Sequence, residues 1–295
     1  MKLSKKALIG YPAGVVTGVT YGLNPLFAIP LMAMGAALSS ILFFRYAIAV
    51  TLLGLYLAVT GHSFRVTWRQ GLVLLVLGLF YTASSLTLFS AYKYVPSGLA
   101  TTLVFLSPVI VALIMAALGK VPSWPVWLAI AVSFVGVMIM TGVGSDTVFN
   151  PTGIALAIAS AFVYSLFIII INRSKVIAGI SNSVLTFYTL VVGSIVFMTW
   201  GVRSHVPLTG GLEGWSAWLN LVGLAILPTI VSTATLAVAT RNIGATKASV
   251  LGVFEPITAI VVGSMVLGEP LTLSVVAGIT LSIVAVTFMI LATGR

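Results

Sequence analysis

Cysteine is absent from the 295 residues. That excludes disulfides, thiolate catalysis and cysteine-based metal sites. Histidine occurs twice, at His62 and His205. Both fall in expected loops, so no histidine-rich metal site can be assembled. Charge is also scarce, at 6% of residues against roughly 25% in a soluble domain. So little polar surface cannot cover a water-facing globule. A soluble enzyme, a nucleic-acid reader and a disordered tail are therefore excluded together. The phosphate-cradling pattern G-x-x-x-x-G-K-[ST] is missing, which argues against ATP hydrolysis by this chain. Paired acidic residues and a nucleophile–base pair are missing as well, so no enzyme activity, cofactor or metal is expected.

What the chain does hold is apolar length. Hydrophobic residues make up 60% and the mean hydropathy is +1.22. Stretches of about 20 apolar residues, each long enough to cross a hydrocarbon core about 30 Å thick, recur from end to end. Backbone groups in lipid must be satisfied internally, so helices are expected. The alternation of a transmembrane strand is not seen. The expected helices are Ala7–Pro30, Ala36–Val59, Gly71–Tyr92, Gly98–Leu118, Trp124–Val143, Gly153–Ile171, Val184–Trp200, Trp215–Ala237, Ala245–Leu267 and Leu273–Ala292. The fold class is an all-α membrane protein of ten transmembrane helices.

Basic residues set the orientation. With the N-terminus in the cytoplasm, Lys2, Lys5, Lys6, Arg65, Arg69, Lys120, Arg173, Lys175, Arg241, Lys247 and Arg295 all fall on the cytoplasmic side. Only Lys93 and Arg203 fall opposite, together with the carboxylates Asp146, Glu213 and Glu269. This places both termini in the cytoplasm and the chain in a bacterial inner membrane. Its net charge of +10 thus reflects orientation. The basic start runs into further spans, so the first helix is read as retained. Tryptophans 68, 124, 127, 200, 215 and 218 lie near expected span ends, as an interfacial belt requires.

The chain also matches itself. Shifted by 148 residues, Leu79–Leu118 overlays Leu227–Val266 without a gap. Ser84 then meets Ser232, Ser85 meets Thr233, Lys93 meets Arg241 and Pro108 meets Pro256. A shift of 143 pairs Tyr21 with Tyr164 and Phe44 with Phe187. Five spans per copy is an odd number, so the second copy is threaded upside down. Residues 1–147 and 148–295 are read as the two inverted halves. Lys120 is expected inside and its counterpart Glu269 outside. Inverted repeats suit a carrier whose halves rock about a midplane site; duplication for stability alone is the other reading.

The run Ala91–Pro108 resembles the fourth-span signature of the drug/metabolite transporter superfamily, EamA type. Phe254-Glu255-Pro256, Leu267-Gly268-Glu269-Pro270 and Phe44-Arg45-Tyr46 are similar to other marks of that family. Tyr21-Gly22 stands where many members carry Trp-Gly, and Lys120 where many carry Glu. The resemblance implies ten helices, cytoplasmic termini and export of small metabolites. Within the family, the chain resembles the YddG-type exporters of aromatic amino acids. The expected partners are a small-molecule substrate and the bilayer, with no nucleic acid and no evident ATPase subunit. The function expected is export by alternating access. An exchanger or facilitator for another metabolite or cationic drug, or a channel, remains the alternative.

Helical spacing gathers candidate binding residues onto inward faces. They are Tyr21, Asn24, Tyr81, Ser84, Thr101, Phe105, Tyr164, Phe167, Ser232 and Ser249. Hydroxyls and amides can hold an amino acid's charged ends without a fixed charge, while rings offer stacking surface. For any one hydroxyl, a bond within the helix bundle is the simpler reading. Pro108 and Pro256 are candidate hinges or static bends. Two charges lie deep: Glu255, about 15 Å into its helix by helical rise, and Arg45. Intramembrane charge points to function. Glu255 is read as a proton or amine site or as a structural carboxylate, and Arg45 as its partner or as a snorkelling cation.

Overall fold

The computed structural model describes residues 4–95, 97–140, 150–203, 207–267 and 273–293. Lys2, Asp146, His205, Gly268, Glu269, Pro270 and Arg295 lie outside the described residues. The described chain is all helical, and each of the ten expected stretches is matched by helix. Among the described residues, eight helical spans are long and apolar enough to cross a membrane, and two shorter apolar helices cover Ser107–Ala117 and Trp124–Ile139.

Not every stretch is a single helix. The first is split into α1 (Lys5–Tyr21) and α2 (Asn24–Ala33). Then come α3 (Leu38–Val59) and α4 (Trp68–Ala91), both continuous. The fourth stretch splits into α5 (Ser97–Val104) and α6 (Ser107–Ala117); α7 (Trp124–Met140), α8 (Pro151–Arg173) and α9 (Asn182–Arg203) are unbroken. The eighth runs α10 (Gly214–Ala225), a π turn (Ile226–Val231) and α11 (Ser232–Ile243). The ninth runs α12 (Ala245–Val250), a 3-10 turn (Leu251–Val253) and α13 (Phe254–Leu267), and α14 (Leu273–Thr293) follows.

Local chemistry places these boundaries. Thr67 and Gln70 form a reciprocal capping box at the start of α4. Asn150 caps α8, accepting from the Thr152 and Gly153 amides, with Pro151 at the first helical position. Three breaks share one cause. Asn24-Pro25, Ser107-Pro108 and Glu255-Pro256 each fall within the first three residues of the helix after a break. Proline cannot donate to the turn before it and crowds the residue ahead of it, so the helix is interrupted there. Pro228 sits inside the π turn of the eighth stretch.

Close packing depends on small residues. Gly10, Gly14, Gly18 and Gly22 recur every four residues along one face of the first stretch. A Cβ on Gly18 would stand 2.8 Å from the Leu251 carbonyl oxygen, and one on Gly22 would stand 2.5 Å from that of Glu255. At Gly18 and Gly22 this face therefore lies directly on the backbone of the ninth stretch, an approach that small residues allow in membranes. Four interfaces dominate the bundle: α7 with α14, α1 with α11, α4 with α8, and α3 with α9. Large apolar residues such as Leu55, Leu113, Ile195, Val284 and Leu291 remain exposed on its perimeter. In water that would be a liability; in lipid it is the expected surface. Trp68, Trp124 and Trp215 are exposed at helix ends.

Candidate functional site

The helix breaks surround a partly open cavity, whose empty space together with the adjoining open solvent is about 380 Å³. Tyr21 ends α1 and Asn24 begins α2; Val104 ends α5; Glu255 is the second residue of α13. All four line the cavity. The remaining wall comes from α3 (Arg45), α4 (Tyr81, Ser84, Ser85, Leu88, Phe89) and α8 (Ser160, Tyr164). Irregular backbone at depth is tolerated where it lines such a space.

Aromatic rings are joined edge to face and tilted around it. Tyr21 and Tyr164 meet edge-on with centroids 5.9 Å apart, and Tyr46 and Tyr81 lie at 5.9 Å. The Tyr21 hydroxyl donates to that of Tyr81 at 3.3 Å, and Thr233 Oγ1 donates to the same oxygen at 2.9 Å. Tyr46 and Ser85 share a hydroxyl bond of 2.7 Å. Ser84 and Ser160 pair across the α4–α8 interface at 3.0 Å, and Ser160 Oγ also donates to the Ser84 carbonyl at 2.9 Å. These bonds orient the wall and leave the phenol rings as its lining.

Arg45 reaches inward and does not snorkel; only 1% of its surface is exposed. Its Nε donates to Thr229 Oγ1 and its Nη2 to the Pro228 carbonyl at 2.9 Å. That carbonyl belongs to the π turn, where the ordinary helical pattern is lost. The guanidinium carbon stands 5.2 Å from the Phe89 ring centre and 5.8 Å from that of Tyr46, within cation–π range. Its remaining nitrogen, Nη1, is buried without a hydrogen-bond partner. Glu255 is 9% exposed. No ion pair joins it to Arg45 among the described residues, and no hydrogen bond holds its carboxylate there. Buried Asn24 Oδ1 also has no partner.

Of the residues expected to bind, the cavity gathers Tyr21, Asn24, Tyr81, Ser84 and Tyr164, with both deep charges. The others stand back from its wall. Phe167 is fully buried behind it, 5.2 Å from Tyr81. Phe105 is packed into a second apolar cluster with Ala112 and Val253. Ser232 donates to the Pro228 carbonyl at 2.7 Å and Ser249 to the Thr246 carbonyl at 2.8 Å, both within their own stretch. Thr101 is buried on α5. Pro108 and Pro256 sit in the first turns after the breaks, buried. Phe89 was not anticipated. Its signal was available: it lies one helical turn beyond Ser85 on a face already picked out by Tyr81 and Ser85.

Comparison with known proteins agrees with this architecture. The model of the EamA-like transporter family matches residues 8–142 and again 151–291, so the family unit occurs twice in tandem. An uncharacterized transporter of Archaeoglobus fulgidus is 26% identical over 234 residues, covering 78% of this chain and 82% of that protein. The uncharacterized transporter YdfC of Bacillus subtilis is 26% identical over 63% of this chain and 60% of its own length. The uncharacterized transporter sll1319 of Synechocystis is 27% identical over 69% of this chain and 60% of its own. A solved crystal structure aligns over the whole of both chains with a TM-score of 0.76 at 19% identity, a likeness of fold.

Proposed function

The chain belongs to the EamA-like transporter family, and on that premise we propose that it exports neutral amino acids, aromatic ones preferred, by alternating access. In this reading ten spans form two inverted halves, residues 1–147 and 148–295. The protein sits in a bacterial inner membrane with both termini in the cytoplasm. The observation that carries the reading is the cavity. It lies at the interruptions of three spans and takes its walls from both halves, the arrangement expected of a carrier site. An aromatic lining of this kind suits a flat side chain.

The helix pairings support the inverted halves. Exchanging the halves exchanges stretch one with six, three with eight, two with seven and five with ten. Under that exchange, the α1–α11 interface maps onto α4–α8, while α3–α9 and α7–α14 each map onto themselves. Each of the two exchanged interfaces also carries a hydroxyl pair, Ser84 with Ser160 in one and Thr17 with Thr235 at 2.8 Å in the other.

A latch on one side of the second half gives a labelling test of the assigned orientation. On the side assigned to the cytoplasm, Arg241 ends α11 and donates through Nη1 to the Ile180 carbonyl and through Nη2 to that of Ile177, 2.9 Å away. Asn172 Nδ2 adds a bond to the Thr240 carbonyl at 3.1 Å. Its repeat mate Lys93 is exposed on the opposite side and makes no side-chain bond among the described residues. These bonds tie the α8–α9 connection to the end of α11 within the second half, and among the described residues Lys93 makes no equivalent tie in the first. Because the chain lacks cysteine, single-cysteine labelling is free of background. A Thr240→Cys protein is expected to react slowly with maleimide. Adding Arg241→Ala raises that rate by at least about tenfold, since charge-assisted bonds contribute about 1.5–3 kcal/mol each and 1.4 kcal/mol is tenfold in a population. An unchanged rate removes the latch.

Flux into proteoliposomes tests the function. Uptake of labelled phenylalanine is expected to saturate and to be accelerated by unlabelled phenylalanine on the far side. Linear, fast flux fits a pore; no flux across an amino-acid panel overturns the reading.

A further inference from the structure

We infer that the cavity is bipolar and selects the zwitterion of an α-amino acid as such, with the carboxylate on Arg45 Nη1 and the ammonium between Glu255 and Asn24 Oδ1. The inference rests on the transport reading and deepens it. It names the two charged poles and so excludes amines, organic acids and cationic drugs as comparable substrates.

Three unspent groups carry the argument. Nη1 of Arg45 is a buried donor with no acceptor. Both other nitrogens of the same guanidinium are engaged, so its orientation is fixed while one edge stays open. Asn24 Oδ1 is a buried acceptor with no donor. Glu255 is a nearly buried carboxylate with no hydrogen bond among the described residues. All three side chains line one cavity. A buried donor or acceptor left unmade is costly, and a buried charge lacking a counter-charge costs more. Arg45 and Glu255 do not relieve each other by pairing. A small ligand bearing both signs on one carbon relieves all three groups at once.

Other chemistry relieves only part. A protonated amine pairs with Glu255 and Asn24 and leaves Arg45 Nη1 bare. A carboxylic acid pairs with Arg45 and leaves Glu255 bare. A sugar brings neither charge. The open guanidinium edge presents a planar donor that suits a carboxylate better than a point cation does. The phenols of Tyr21, Tyr81 and Tyr164 then face the ligand's side chain. They discriminate among amino acids by shape, while the poles discriminate amino acids from everything else. A site built to bond a polar group rejects strongly the analogue that lacks it.

The test uses the whole protein in proteoliposomes and in detergent. Phenylalanine, phenethylamine (no carboxylate) and 3-phenylpropionate (no ammonium) are compared as ligands by calorimetry and as competitors of labelled phenylalanine uptake. Phenylalanine is expected to bind about 10–100-fold more tightly than either analogue, the loss of one charge-assisted pair at each pole. Glu255→Gln keeps the side-chain shape. It is expected to narrow the gap between phenylalanine and 3-phenylpropionate to less than about tenfold, while the gap to phenethylamine persists. Analogues that bind within threefold of phenylalanine overturn the bipolar site even if transport is intact. An amine that binds best makes Glu255 the sole pole and also overturns it. If no ligand of the set binds or is carried, the bipolar site and the transport reading fall together.

Discussion

Gly22→Val removes the folded, monodisperse protein from detergent extracts, while Gly22→Ala reduces it in part. The expectation follows from distance. A Cβ at position 22 would stand 2.5 Å from the Glu255 carbonyl oxygen and 2.5 Å from Thr258 Cβ. Neither is the free end of a long side chain that could swing aside; one is backbone. Valine adds two more carbons to the same gap. Overpacking of this kind costs about 1–3 kcal/mol and occasionally more. Here the strain falls on the one contact where the breaks of two stretches meet. The two helix segments must separate, and the cavity wall formed by Tyr21, Asn24 and Glu255 is lost with them. Fluorescence-detected size exclusion reports the folded yield. Gly71, which would meet nothing within 4 Å, supplies the control. Gly71→Val is expected to leave the yield unchanged, and equal yields for the two valine variants would remove the argument.

Arg45→Met gives the second large effect, on transport more than on stability. The substitution removes the guanidinium's bonds to the Pro228 carbonyl, which keeps its bond from Ser232, and to the Thr229 hydroxyl, which still donates to the Leu224 carbonyl; each bond lost to a charged group costs about 1.5–3 kcal/mol. It also removes a buried cation with no ion-pair partner among the described residues. Replacing buried charge by an apolar side chain of similar volume is often neutral or stabilising by about 1–4 kcal/mol. The two terms oppose each other, so the thermal midpoint is expected to move by only a few degrees. Nothing offsets the loss in flux. Losing the charge-assisted bond to the substrate carboxylate, worth about 1.5–3 kcal/mol, lowers kcat/KM by roughly 10–100-fold. Arg45→Lys does not rescue it, because a point ammonium cannot hold the π-turn carbonyl, the Thr229 hydroxyl and a carboxylate together. Uptake assays with thermal shift measured on the same samples separate the terms. A large fall in midpoint with unchanged uptake per folded molecule would assign Arg45 to scaffolding alone.

The same residues show why the site was only partly legible in sequence. Tyr21, Tyr81, Ser84 and Tyr164 were found because helical spacing alone puts them on inward faces, and those helices are continuous up to that depth. Ser232 and Ser249 satisfied the same spacing rule, yet their hydroxyls turn back onto carbonyls of their own stretches. A membrane serine always has that local option, and nothing in the linear order says which option is taken. Phe105 belongs to the break between α5 and α6, where helical phase is lost, so its expected direction no longer held. Asn24 and Glu255 share a feature with Ser107 that is plain once the breaks are seen: each is a polar residue directly before a proline. The residue before proline marks the break, and at two of the three breaks it lines the cavity.

The sequence by itself determined the solvent and the construction. A chain with 6% charged residues and repeated apolar stretches has only lipid as a compatible surroundings, and a tandem family unit is written in its self-similarity. These are properties of composition and local periodicity, and they survive without coordinates. Which polar groups converge was decided by the tertiary structure alone. Convergence depends on the rotation of each helix about its axis and on where each is broken. The sequence permits Arg45 to face lipid headgroups, Glu255 or a π turn. Only packing, by placing the Pro228 carbonyl within reach and leaving one guanidinium nitrogen unmet, selects among them.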